Sequence, residues 1–182
     1  MADTGWVFVN SASEDTTGDH NWSGETNIFA DDFAYASSTS IEEEATTNNL
    51  LCTMGTNQFT IPVGSTIDGI EVECYADAGS GDYLFFNSVR LIIGGTISGS
   101  NYATSNLIST SWELFTWGGS TNTWGLTIPP TVGQCNATDF GVALKVEEDG
   151  RDDGAKVYID YVRLKVHYTE AVGGSDLIWP II

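Results

Sequence analysis

Positive charge is nearly missing from this sequence. Six Lys and Arg residues stand against 25 Asp and Glu, none of the six occurs before Arg90, and the formal net charge is −19. A chain this acidic is repelled by nucleic acid and by anionic lipid, so neither is an expected partner. Long apolar runs are missing too, and the start Met-Ala-Asp-Thr-Gly-Trp lacks the basic and apolar segments of a secretory leader. No membrane span is therefore expected, and synthesis in a cytosol is. Cysteine is scarce: Cys52, Cys74 and Cys135 are an odd number without metal-ligand spacing and read as free thiols, with a Cys52–Cys135 bridge left open. His20 and His167 stand beside no nucleophile motif, and no two carboxylates are singled out for acid–base work on a glycosidic bond. These gaps point to a chain that is not an enzyme and uses no cofactor or metal.

What is present is alternation. The 182 residues, 41% hydrophobic, are long enough for one sizeable core. The stretch FTIPVGSTIDGIEVECYADA, Phe59 to Ala78, predicts a short strand ending at Ile61, a break at Pro62 and Gly64, and then a strand with Ile70, Val72, Cys74 and Ala76 inward and Glu71, Glu73 and Tyr75 outward. Before it, Gly5 to Asn10 alternates as a strand, Ser11 to Glu25 reads as a loop, and Ile28 to Tyr35 as strand or loop. After it come a strand from Leu84 to Ile93 closed by a Gly94-Gly95 hairpin turn and a segment from Leu107 to Trp117. The latter sets Trp112 and Leu114 on one face and Glu113, Phe115 and Trp117 on the other. Phe140, Val142, Leu144 and Val146 share one face of the next strand, and Ala155 to Thr169 forms the last long one, with Val162, Leu164, Val166 and Tyr168 inward and Arg163, Lys165 and His167 outward. Glu147 to Gly154 between them resembles a calcium-binding turn in composition but lacks the alternating ligand spacing and terminal glutamate of an EF-hand loop, so a solvated hairpin turn is the favoured reading and calcium the alternative.

Recurrent strands and glycine turns without helical periodicity give the expected fold class: all-β, a two-sheet antiparallel β-sandwich of jelly-roll-like build. The sandwich is expected to occupy residues 1–169, with a linker and docking arm over 170–182. Asp160 has the parity of the inward residues, so it is expected either to accept hydrogen bonds from a neighbouring loop or to be re-aimed by a bulge, and it reads as a structural clamp. Glu71 and Glu73 are expected opposite Arg163 and Lys165 if their strands are neighbours.

The order FTIPVGSTIDGIEVECYADA, SVRLIIGG with a following G-S-N, TWGLTIPPTV, DFGVALKV and VYIDYVRLKVHY, spanning Phe59 to Tyr168, resembles a β-sandwich module of tailed-bacteriophage virion proteins. The amino-terminal third departs from that pattern, with Trp22 and Asp31-Asp32 only rough counterparts. The resemblance implies a structural role: a capsid decoration or cement subunit, or a tail or fibre subunit. Its partners would be the major capsid protein or other virion subunits and further copies of itself, a trimer being one arrangement open to it. It would be assembled in the host cytoplasm and end on the capsid surface.

Two features bear on this. Leu177, Ile178, Trp179, Pro180, Ile181 and Ile182 follow a Gly173-Gly174-Ser175 joint, and an apolar segment of this kind is costly to expose. It is expected to dock, either on its own sandwich or, the favoured reading, on a neighbouring subunit. The aromatics carry the rival function. Six tryptophans and seven tyrosines in an acidic β-sandwich suit carbohydrate binding, with Trp112, Trp117 and Trp124 as the candidate stacking platform and core packing as the alternative. Deleting 177–182 is expected to leave a folded monomer that no longer assembles; normal assembly of the truncated chain, by size-exclusion chromatography with light scattering, contradicts this.

Overall fold

The computed structural model describes residues 1–80, 83–151 and 154–171. Among these described residues, eleven antiparallel strands form two sheets, as the alternation predicts. In one, β11 (Ala155–Thr169) runs beside β6 (Thr66–Ser80), which in turn pairs with β9 (Glu113–Gly119). The other edge of β11 is covered in succession by β1 (Ala2–Asp3), β2 (Val7–Phe8), a single bridge at Phe29, and β4 (Ala36–Ile41). The second sheet has the order β3 (Ser11–Glu14), β5 (Leu50–Thr53), β10 (Gly141–Glu148), β7 (Leu84–Ile93) and β8 (Thr96–Ser98). A one-turn α1 (Val132–Cys135) is held by a capping box between Thr131 and Gln134.

The core lies between the sheets. Ile70, Val72, Cys74 and Ala76 of β6 and Val162, Leu164 and Val166 of β11 are fully buried, as are Phe140 and, on β10, Val142, Leu144 and Val146. Burying each of the larger side chains contributes about 1.5–3 kcal/mol. All three cysteines are free and buried, so the Cys52–Cys135 bridge does not form. Burial pushes the Cys135 thiol up to about 12 and raises Cys52 and Cys74 as well. Gly94 and Gly95 both have positive φ, as a two-residue hairpin turn between β7 and β8 needs.

Three expectations fail locally. Phe59 to Ile61 is not a strand; both side chains are nonetheless buried, and Ile61 exchanges backbone hydrogen bonds with the Asn136 amide instead of a ladder. Ser11 to Glu14, read as loop, forms β3, because its polar residues pair with the apolar β5 at the sheet edge. Strict parity also breaks. A register shift beside Lys145 moves the inward set of β7 from Leu84 and Phe86 to Val89 and Leu91, leaving Ile93 only half-buried. The apolar arm Leu177–Ile182 lies outside the described residues.

Gly141 marks where β5 and β10 approach most tightly: a Cβ there would sit 1.9 Å from the Cys52 carbonyl oxygen and 2.7 Å from Thr53 Cα. Gly141→Ala is expected to lower stability by about 1–3 kcal/mol through that backbone clash. An unchanged urea midpoint would contradict the close approach.

Candidate functional site: an aromatic sheet face

The register of β11 on β6 sorts the outer face of this sheet by chemistry. At one end Lys165 lies opposite Glu71 and Arg163 opposite Glu73. Lys165 Nζ is 2.7 Å from Glu71 Oε2, Arg163 donates to Glu73 Oε2 at 2.6 Å, and His167 Nε2 lies 3.0 Å from Glu71 Oε1. The expected charge pairing is therefore present. Burial alone would push the Glu71 carboxyl up, but the Lys165 ammonium and His167 outweigh it and hold it below the usual carboxylate value. Trp6 covers this ladder, with Lys165 Nζ 4.4 Å and the Arg163 guanidinium 5.2 Å from its ring centroid.

Toward the other end the face becomes aromatic. Tyr161 lies opposite Tyr75, and Tyr75 opposite Leu114 on β9. Tyr161 and Tyr75 stack with centroids 5.5 Å apart and planes at 19°, and Tyr75 and Trp112 stack at 5.4 Å and 25°. Phe8 meets Tyr161 edge-on at 5.6 Å, and Phe33 meets Trp112 edge-on at 5.9 Å. Tyr35 lies between Tyr158 at 4.7 Å and Trp112 at 6.2 Å. Each such pair is worth about 0.5–1.5 kcal/mol beyond its area, so the row is stiff without a ligand.

The row ends in solvent. Phe33 is 61% exposed, Tyr35 43% and Leu114 49%, and these three border the half-buried Trp112 and Tyr75. Phe33 also holds φ +59°. A left-handed backbone at a bulky residue costs about 1–3 kcal/mol. Leaving the ring out forgoes a further ~1.5–3 kcal/mol of burial. Edge-on packing against Trp112 and the effect of the Phe33 backbone amide on Asp160 offset part of these costs.

Asp160 lies under this patch. It falls at a register shift between Ile159 and Tyr161, so the bulge half of the expectation holds. The loop half is met only in part: the residue is fully buried and neither carboxylate oxygen has a partner at strict hydrogen-bond geometry, yet the Phe33 and Asp32 backbone amides of the neighbouring loop favour its charged form. Burial raises its pKa. The Phe33 and Asp32 backbone amides offset part of that rise, and the Asp31 and Asp32 carboxylates add to it.

The expected tryptophan platform is corrected. Trp117 and Trp124 are 7% and 0% exposed. Trp117 pairs with Val72 on the core side of β9 and packs edge-on against Phe86 at 5.0 Å. Trp124 donates its indole N–H to the Ile70 carbonyl at 3.0 Å and lies 4.7 Å from Tyr102. Of these three, Trp112 alone joins the outer face, with partners the tryptophan spacing did not reveal. The parity of Tyr75 did carry a signal for this face, as did the aromatic and acidic mix at Asp31 to Tyr35. Of the acidic turn, Glu148 accepts backbone N–H bonds from Gly150 at 2.6 Å, Arg151 at 3.0 Å and Glu44 at 3.2 Å, so it holds the turn together.

No protein-family model and no curated protein sequence matches this chain. Among solved structures, it is similar to a family 4 carbohydrate-binding module, with TM-score 0.45 and 16% identity over 90% of this chain and 95% of that one. It is also similar to the CBM22-1 xylan-binding domain of Paenibacillus barcinonensis Xyn10C, with TM-score 0.43 and 11% identity over 93% and 97%. A third is the enzymatically active domain of tailspike protein 4 of bacteriophage CBA120, with TM-score 0.39 and 9% identity over 90% of this chain and 19% of that one. Likenesses this distant say nothing about ligand or activity.

Trp124→Ala is expected to cost about 3–5 kcal/mol and Trp112→Ala under about 1.5 kcal/mol in urea unfolding. Equal losses would contradict the division between core and surface rings.

Proposed function

We propose that the chain is a non-catalytic glycan-binding β-sandwich module whose binding surface is the exposed end of the aromatic row: Phe33, Tyr35, Trp112 and Leu114 beside Tyr75. One observation carries this reading, the strained and solvent-exposed Phe33 set against Trp112 at the open end of a stacked row. Exposed rings on a rigid sheet offer apolar faces and edges to the C–H faces of a sugar, and neighbouring carboxylates and amides accept and donate to its hydroxyls. Asp31 and Asp32 are exposed beside the patch, and Asn27 is fixed nearby by its bond to the Tyr35 carbonyl at 3.1 Å.

This reading is preferred to capsid decoration. Decoration would use the sandwich edges together with Leu177–Ile182, the latter outside the described residues, whereas the aromatic patch is a feature of the described surface. The resemblance of Phe59 to Tyr168 to virion modules fits a receptor-binding setting on a tail or fibre as well as a head.

Phe33→Ala and Trp112→Ala are each expected to weaken binding to a soluble polysaccharide by roughly tenfold or more in affinity electrophoresis, with the fold retained and cooperative unfolding preserved. A panel of neutral and acidic polysaccharides none of which retards the wild-type protein would contradict the proposal.

A further inference from the structure

The sheet edge explains why Asp160 is where it is. Phe29 bridges Tyr161, and Ala36 pairs with Ile159, so residues 30–35 leave the sheet opposite one residue of β11, Asp160. The bulge turns that residue's carboxylate out of the core alternation and encloses it beneath the loop. Ring contacts of Phe33 and Tyr35 with Trp112 and of Tyr35 with Tyr158 hold the loop's side chains, while few polar contacts fix its backbone. Asp32 Oδ1 accepts the Ala34 N–H at 2.9 Å and Asn27 holds the Tyr35 carbonyl, but neither sets the left-handed turn at Phe33. The Asp32 and Phe33 amides act on Asp160. Two successive backbone N–H groups beside a left-handed residue form a concavity suited to an anion.

A fully buried carboxylate without a well-formed hydrogen bond is destabilising. A clamp serving only the fold would be better made from an asparagine or an apolar residue. We propose that Asp160 is a positioning residue for the binding surface: its charge draws in the Asp32 and Phe33 amides and so aims the Phe33 ring outward, at a cost in stability. The inference rests on the glycan-binding reading for its purpose, but its effect on the loop is measurable without a glycan.

The sign with pH follows from the raised pKa. Asp160 takes up its proton in the folded state above 3.8, so its contribution to stability is fully present below 3.8 and is lost as pH rises through its folded value. The loop should respond in the opposite sense, tightening as Asp160 ionises. The other ionisable groups set against it are Asp31 and Asp32 on the loop and Tyr75 and Asp77 at the paired positions of β6; β4 carries none.

The test compares wild type, Asp160→Asn and Phe33→Ala by thermal melting, hydrogen exchange at residues 30–35 and polysaccharide affinity against pH. Asp160→Asn is expected to melt at or above wild type, to exchange roughly tenfold faster at 30–35 only, the scale of one charge-assisted contact, and to bind more weakly with no acid-side pH dependence. Wild-type exchange at 30–35, corrected for intrinsic rates, is expected to rise as Asp160 is protonated. A variant that unfolds or exchanges faster everywhere marks a merely structural clamp and overturns the proposal, as do wild-type loop exchange and wild-type affinity in Asp160→Asn. Undiminished binding by Phe33→Ala, with the loop loosened in Asp160→Asn, would instead overturn the glycan-binding reading and leave the positioning of the loop intact.

Discussion

The pairing of β11 with β6 is the constraint on which the rest depends. From Lys156 opposite Gly79 to Thr169 opposite Thr66, it sets two faces at once. Inward, it aligns Val162, Leu164 and Val166 with Cys74, Val72 and Ile70, the centre of the core. Outward, the same register brings Arg163 to Glu73, Lys165 to Glu71 and Tyr161 to Tyr75. A slip of one residue would carry the aromatic row inward and the core outward together. Fold and surface are therefore specified by the same hydrogen bonds.

Interruptions of that ladder carry as much meaning as its regular part. The bulge at Asp160 lets Val157 and Ile159 and then Val162 and Leu164 all face the core although their parity differs. It also leaves one carboxylate facing outward under a loop. Strain at Phe33, exposure of its ring and burial of Asp160 each work against stability, and they occur within one small region. Such costs accumulate where a protein keeps a surface for binding.

Much of the fold was legible in the sequence, because half-buried strands declare themselves by alternation. The inward faces of Ile70 to Ala76 and Phe140 to Val146 follow from parity alone and Gly94-Gly95 from turn chemistry, while the charge pairs of β11 needed also the adjacency of β6 that the register supplies. Polar edge strands were not legible: Ser11 to Glu14 pairs through its backbone and shows no apolar period. Nor was the site, whose members Phe33, Tyr75 and Trp112 lie far apart in the chain and meet only through strand register. Tryptophans near one another in sequence suggested a platform that strand parity divides between core and surface.

The central claim is that ligand meets this protein at the exposed end of the aromatic row. A two-dimensional 15N–1H titration of the whole chain with soluble oligosaccharides tests it most directly. The account predicts saturable shifts concentrated at Phe33, Tyr35, Tyr75, Trp112 and Leu114. Saturable shifts confined to another surface, such as the cleft lined by Ile128, Pro129, Pro130 and Thr131, or none with any sugar tested, would contradict it.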